Sequence, residues 1–311
     1  MLKQLRQRFV NQLWNEYYSN SMQIQRIDLG LKQLGVNTLL LDHLAVIDLP
    51  GPHTGIPVLS KVFTALGFIS QGSDYLASKQ NDFTWMCEAN CFDEPAIDVL
   101  PQIVIADFRL DELPPAIRNI ILKYSQQVHA ARYQQIEKLI LDLNVSQNQS
   151  QTTALISYLM QYFSGRDWPL PTKKEFETVH EFNELLAWVL VFGRRPNHFS
   201  LSIHLLNHFA NLSQFNLFIE KNLNLSLNDE GGVIKGKQEI GIAQSSTFGI
   251  EKNISLADGN VNLRTEFVEF VWRYPLNSSN LNSNKMRWKD FFTGFVGQNA
   301  NYVIESLYTE T

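Results

Sequence analysis

Residues 37–50, NTLLLDHLAVIDLP, decide how the chain is read. Leucines and β-branched residues fill the run and Pro50-Gly51-Pro52 stops it, so it reads as a buried strand. His43 sits near its middle. An imidazole buried among leucines is costly unless it has a partner, so this histidine is expected to face one.

Before the strand, Leu5, Phe9, Leu13 and Tyr17 recur every four residues, and Ile24, Ile27, Leu31 and Leu34 continue an apolar face to Gly35. That periodicity predicts helix across residues 1–34. After it, 56–66 reads as a helix closed by Gly67, with two or three short strands across 68–88 and another at 101–110. Helices follow at 112–126 and 128–142, and the polar NVSQNQSQT (144–152) reads as a surface loop or linker. The second half reads as helices at 152–163 and 173–190, a short helix within 213–225, and strands at 198–205, 239–248 and 261–275. NSSNLNSN (277–284) reads as a solvated loop. Strands and helices interspersed in this way predict an α+β protein on a mixed sheet. The expected organisation is a single domain over 1–311, with an N-terminal helical segment (1–36) and a β core with inserted helices (37–311).

The chain has 311 residues, 44% hydrophobic and 18% charged, which excludes disordered, collagen-like and coiled-coil classes. A net charge of −5 gives no cationic field for nucleic acid or an anionic membrane. No apolar run spans a bilayer and no secretory signal is read, so a cytoplasmic protein is expected. Cys87 and Cys91 are too few for a disulfide framework or a zinc site and read as reduced thiols. Phosphate-binding glycine loops, nucleophile elbows and HExxH are all missing.

His198 opens a second apolar run, straight after Arg194-Arg195-Pro196-Asn197. In TEFVEFVWRY, strand alternation places Phe267, Glu269 and Val271 on one face, so the Glu269 carboxylate would be desolvated and in need of a partner. Two histidines and one carboxylate on three strands form a set suited to non-haem Fe(II) with open coordination positions. Spacing alone does not force His43, His198 and Glu269 to meet. In GGVIKGKQEIGIAQSST (231–247), alternation stops at Gln244-Ser245-Ser246-Thr247, either an exposed strand end or a polar pocket lip. Gln298 and Asn299 stand at a helix start that could face an anion.

LDHLAV (41–46), TALGF (64–68), LPQIVIADFRLDEL (100–113), LLAWVLVFGRRPNHFSL (185–201), GGVIKG…QSST (231–247), FVEFVWRYP (267–275) and GFVGQNANYVIES (294–306) occur in one order. Taken together they resemble the 2-oxoadipate dioxygenase/decarboxylase (2-hydroxyglutarate synthase) family in its short bacterial form. The resemblance implies a vicinal-oxygen-chelate-like mixed β core with added helices, holding Fe(II) on His43, His198 and Glu269. It implies conversion of 2-oxoadipate and O2 to 2-hydroxyglutarate and CO2, with Lys235 and Gln244 as catalytic candidates and Gln298, Asn299 and Arg273 as substrate-binding candidates. Expected partners are therefore a small 2-oxo acid and O2, with neither nucleic acid nor membrane; the alternative is a divergent metal- or ligand-binding member without oxygenase turnover.

The chain departs from the family pattern in three places. An arginine usual four residues after the first histidine is Ile47, a serine-glutamate pair is Ala106-Asp107, and a Phe-Glu-Ser-Thr ending is Ile304-Glu305-Ser306-Leu307. Arg194, Arg195, Lys79, Lys235 and Arg273 are the cations that could replace the lost arginine. Arg273, four residues beyond Glu269, could instead orient that carboxylate.

Overall fold

The computed structural model describes residues 2–146, 149–277 and 286–308. The N-terminal periodicity forms helices α1 (Leu2–Asn20) and α2 (Met22–Gln33), separated by Ser21, whose side chain caps α2 by accepting from the Ile24 N–H. Strand β1 (Leu41–Ile47) follows, then α3 (Ile56–Ala65), β2 (Phe68–Leu76), β3 (Asn81–Glu88) and β4 (Gln102–Phe108). Helices α4 (Pro115–Ser125), α5 (Ala131–Ser146), α6 (Gln149–Phe163), α7 (Lys173–Phe182) and α8 (Glu184–Phe192) lead to β5 (His198–Ser202) and α9 (Leu212–Lys221). The chain finishes with β6 (Lys235–Lys237), β7 (Ile242–Ser246), β8 (Glu251–Ser255), β9 (Asn260–Arg264), β10 (Phe267–Arg273) and α10 (Gly297–Ile304).

Among the described residues, eight strands form one sheet in the order β2-β3-β4-β1-β5-β10-β7-β6, and β8 pairs with β9 separately. The sheet is mixed, as expected: β1 runs parallel to β4 and antiparallel to β5, whereas β5 and β10 are parallel. Alternation sorts β1 cleanly. Leu44 and Val46 enter a core packed under α1, α2, α3, α6 and α9, while Ile47 joins a second apolar cluster on the other side with Phe83, Ala106 and Phe267. Both faces of β1 are thus covered, which is why its sequence reads as a continuous apolar run.

Three expectations are corrected. Residues 144–146 and 149–152 are helical, since α5 reaches Ser146 and α6 starts at Gln149. The single helix read over 173–190 is two, because the Asn183 side chain accepts from the Leu186 N–H and starts α8 anew. The strand read over 261–275 is divided between two sheets, the end of β9 and β10, at Thr265-Glu266. All but the first residue of the loop read at 277–284 lies outside the described residues.

Asp107 shows how the sheet anchors α3. Its Oδ2 accepts the Ile56 N–H at 2.9 Å, and Gly55 stands at φ +79°, where an added Cβ would come within 2.4 Å of that carboxylate. Burial pushes the Asp107 carboxyl up to about 6 from its ordinary 3.8. A carboxyl raised in the folded state stabilises below its unfolded value, and that contribution is lost as pH rises through about 6. Asp107→Asn keeps an acceptor for Ile56 without the charge. Denaturant unfolding at pH 4.5 and 7.5 is expected to show wild type losing about 2 kcal/mol relative to the variant over that interval. An unchanged difference between the two proteins would refute the assignment.

Candidate metal centre

The site starts from an irregularity in strand pairing. Leu41 pairs with Leu201 and Leu44 with Phe199, so Asp42 and His43 together oppose Ser200 as a β-bulge. A bulge re-aims side chains, and here both residues reach groups on the same face of the sheet. The parallel register of β5 and β10 sets Ser200 beside Glu269 and His198 beside Phe267. Period-two alternation then puts His198 and Ser200 on one strand and Glu269 on the next on the face that carries His43.

The three residues singled out in the sequence meet. His43, His198 and Glu269 are buried, and each offers one ligand atom within 4.8 Å of the other two. Glu269 Oε2 lies 3.0 Å from His43 Nε2 and 3.1 Å from His198 Nε2. Ser200 Oγ donates to Glu269 Oε2 at 2.6 Å and lies 3.0 Å from His43 Nε2. Gln244 donates to the other carboxylate oxygen, Oε1, at 2.6 Å.

Behind each imidazole stands an acceptor. His43 Nδ1–H donates to Asp42 Oδ1 at 2.9 Å, and His198 Nδ1–H donates to Asn197 Oδ1 at 2.7 Å. Each acceptor keeps the proton on Nδ1 and turns Nε2 toward Glu269, the tautomer that ligation through Nε2 requires. Asp42 is itself gripped by Arg273, with Nε–Oδ2 and NH2–Oδ1 both at 2.8 Å. His198 stacks on Phe267 and His43 meets the edge of Phe295, which fixes both ring planes.

The electrostatics match a cation site. Burial works against ionising Glu269, but the two imidazoles beside it hold its carboxyl well below the usual range. Burial alone would depress His43; the charges of Glu269 and Asp42 outweigh it and push the imidazole up to about 9. His198, for which burial dominates, is lowered instead. Two imidazole nitrogens and a carboxylate oxygen, converging and supported from behind, fit a divalent transition metal with coordination positions left over. Because His43 alone of the three carries a proton to be displaced near neutrality, one divalent ion is expected to expel about one proton at pH 7. Affinity should rise up to about tenfold per pH unit and level off above about 9. Calorimetry in buffers of different ionisation enthalpy checks this, and proton-free binding would contradict it.

The remaining candidates divide. Gln244 lines the cavity beside the triad, and Asn299 donates to Gln244 Oε1 at 3.1 Å. Lys235 and Gln298 line a neighbouring cavity instead, where the Lys235 amine donates to the Asn228 carbonyl at 2.7 Å. Burial pushes Lys235 down to about 8. Arg273 is fully buried against Asp42, so it supports His43 rather than Glu269 and does not line the cavity. The start of α10 does face an anion, but that anion is the Asp74 carboxylate, which accepts the Gly297 N–H at 3.1 Å. Sequence reasoning passed over Asp42, Asn197 and Ser200. The adjacency of an acid to His43 in an apolar run was the available signal.

The family model described as 2-oxoadipate dioxygenase/decarboxylase matches residues 18–280. A chloroplastic 2-oxoadipate dioxygenase/decarboxylase of Arabidopsis thaliana is 26% identical over 279 residues, covering 88% of this chain and 69% of the relative. The hydroxyglutarate synthase of Oryza sativa, solved in complex with 2-oxoadipate, superposes with a TM-score of 0.76 at 23% identity, over 98% of this chain and 93% of that one. A putative glyoxalase superfamily protein from Ralstonia eutropha JMP134 gives 0.68 at 16% identity, over 85% and 82%. The vicinal-oxygen-chelate-like α+β fold is therefore the observed one. No helix among the described residues is long and apolar enough to cross a membrane.

Proposed function

We propose, because this chain belongs to the 2-oxoadipate dioxygenase/decarboxylase family, that it is an Fe(II)-dependent dioxygenase and decarboxylase of a small 2-oxo acid. The observation that carries the reading is the convergence of His43, His198 and Glu269 in one buried cavity. The relative solved with 2-oxoadipate supports a 2-oxo acid as the substrate class.

His43, His198 and Glu269 would hold an iron ion, which when bound would supply Lewis acidity toward a 2-oxo acid and the redox chemistry that dioxygen requires. The chain's own groups do the rest. Asp42 and Asn197 hold the two imidazoles in register, with Nε2 of each directed at the shared point. Gln244 and Ser200 each donate to one oxygen of Glu269 and limit the carboxylate's freedom to swing, leaving a lone pair for a metal. Asn299 fixes the Gln244 amide in turn, so the donor NH2 group faces Glu269. Phe295 and the apolar wall keep water from the reacting carbons.

Anaerobic reconstitution with Fe(II), followed by measurement of O2 uptake and CO2 release with 2-oxoadipate and with shorter and longer 2-oxo acids, tests the proposal. Uptake that depends on both metal and 2-oxo acid is the expected outcome. Metal-replete protein that turns over no 2-oxo acid returns the alternative, a metal-binding member without oxygenase activity.

A further inference from the structure

We infer that the cavity beside the triad selects a 2-oxo acid whose tail is short, uncharged and apolar, not one ending in a second carboxylate. The inference rests on the proposed function of the triad and names its substrate class. Away from the triad the cavity wall includes Ile47, Leu76, Phe83, Val104, Phe295 and Val303. Apart from the triad and Gln244, the one polar side chain in that wall is Asn81, whose amide donates to the Asp107 carbonyl at 2.8 Å. Among the described residues, no lysine or arginine borders the cavity.

The cations that could serve an acidic tail are engaged elsewhere. Arg273 holds Asp42, Arg194 lies between Asp48 and Asp167, and Arg195 pairs with Glu266. Lys79 pairs with Glu305, and Lys235 donates to the Asn228 carbonyl. A tail carboxylate would leave water for an apolar wall with no counter-charge, a loss that an uncharged tail does not incur. An alkyl tail gains from the same wall. The cavity volume is about 70 Å³. That space is shared with the metal and the keto-acid head, which leaves room for a short tail only.

The chemistry balances for such a substrate. In R–CH2–CO–COO⁻ the C1–C2 bond breaks and C1 leaves as CO2. One atom of O2 joins C2, which becomes the new carboxylate, and the other becomes the hydroxyl on C3. The four electrons that O2 takes up come from C1, C2 and C3, so no further reductant is needed.

The test uses the full chain loaded anaerobically with Co(II), whose uptake is first confirmed by metal analysis. Calorimetry then compares 2-oxoadipate with 4-methyl-2-oxopentanoate and 2-oxohexanoate, and the Fe(II) form is assayed for the 2-hydroxy acid one carbon shorter. Binding of the alkyl acids at least tenfold tighter than 2-oxoadipate is expected, with 2-hydroxy-3-methylbutanoate formed from the branched one. Ile47→Arg should reverse the preference toward the diacid; the wild-type series decides the matter even if that variant does not fold. A diacid bound as tightly as the alkyl acids, or more tightly, overturns this inference and leaves the proposed function standing. Failure of every 2-oxo acid to bind the Co(II)-loaded protein overturns both.

Discussion

His198→Ala is expected to lower divalent-metal affinity by on the order of 10²-fold or more and to abolish 2-oxo-acid-dependent O2 uptake within detection. Replacing a supporting residue behind a metal ligand already costs roughly 10–100-fold, and His198 is proposed as a ligand itself. The geometry gives the loss no substitute. His198 Nε2 is one of three donor atoms within 4.8 Å of each other, and among the described residues no other cluster of such donors is found. Water can fill the position but cannot be held there by Asn197 and Phe267 as the imidazole is. Equilibrium dialysis with Co(II) and an oxygen electrode read the two effects separately. His180→Ala, on the half-buried side of α7 near Glu184, is the control and should leave both unchanged. Metal binding by His198→Ala at wild-type affinity would remove the centre from the proposal.

The triad was legible because burial makes it expensive. An imidazole in LDHLAV and a carboxylate in FVEFVW stand out against apolar neighbours, and each needs a partner that only tertiary structure supplies. Alternation placed Glu269 on the correct face, since β10 is regular along its pairing with β5. The same reasoning put Arg273 on the correct face but missed its partner. Counting by twos sends it to the side of Glu269, but its guanidinium reaches across β5 to Asp42, which the bulge has turned inward. A buried acid beside His43 could be read at 42–43, but the bulge that breaks the period of two could not, so the cation that reaches Asp42 was not legible. The helical errors are of another kind. Asn183 is a strong N-cap residue that was available as a start signal inside 173–190. The stretch 144–152 is polar enough to read as a loop, although the helices on either side of it pack against one another.

Arg273→Met is expected to destabilise the fold by about 3–5 kcal/mol, the usual cost of leaving one member of a buried ion pair alone. Asp42 is 2% exposed and Arg273 is 0% exposed, so solvent cannot take the place of either partner. The guanidinium also donates to the Phe292 and Gly294 carbonyls, both at 2.9 Å, and those acceptors would be left empty as well. With Arg273 present, Asp42 is held well below the usual carboxylate range despite its burial, because the guanidinium and the His43 ring both favour its charge. Without Arg273 the balance shifts toward a protonated Asp42, which is a poorer acceptor for His43 Nδ1–H. Metal affinity is therefore expected to fall together with stability, by roughly 10–100-fold. Asp42→Asn in the same background separates the two effects. Replacing the unpaired charge with a neutral amide should recover part of the lost stability in a urea titration, while metal affinity stays low because the amide is a weaker acceptor than a carboxylate. Should the double variant recover metal affinity but not stability, Asp42 would be holding the fold and not His43, and the support assigned to this pair behind the metal site would have to be withdrawn.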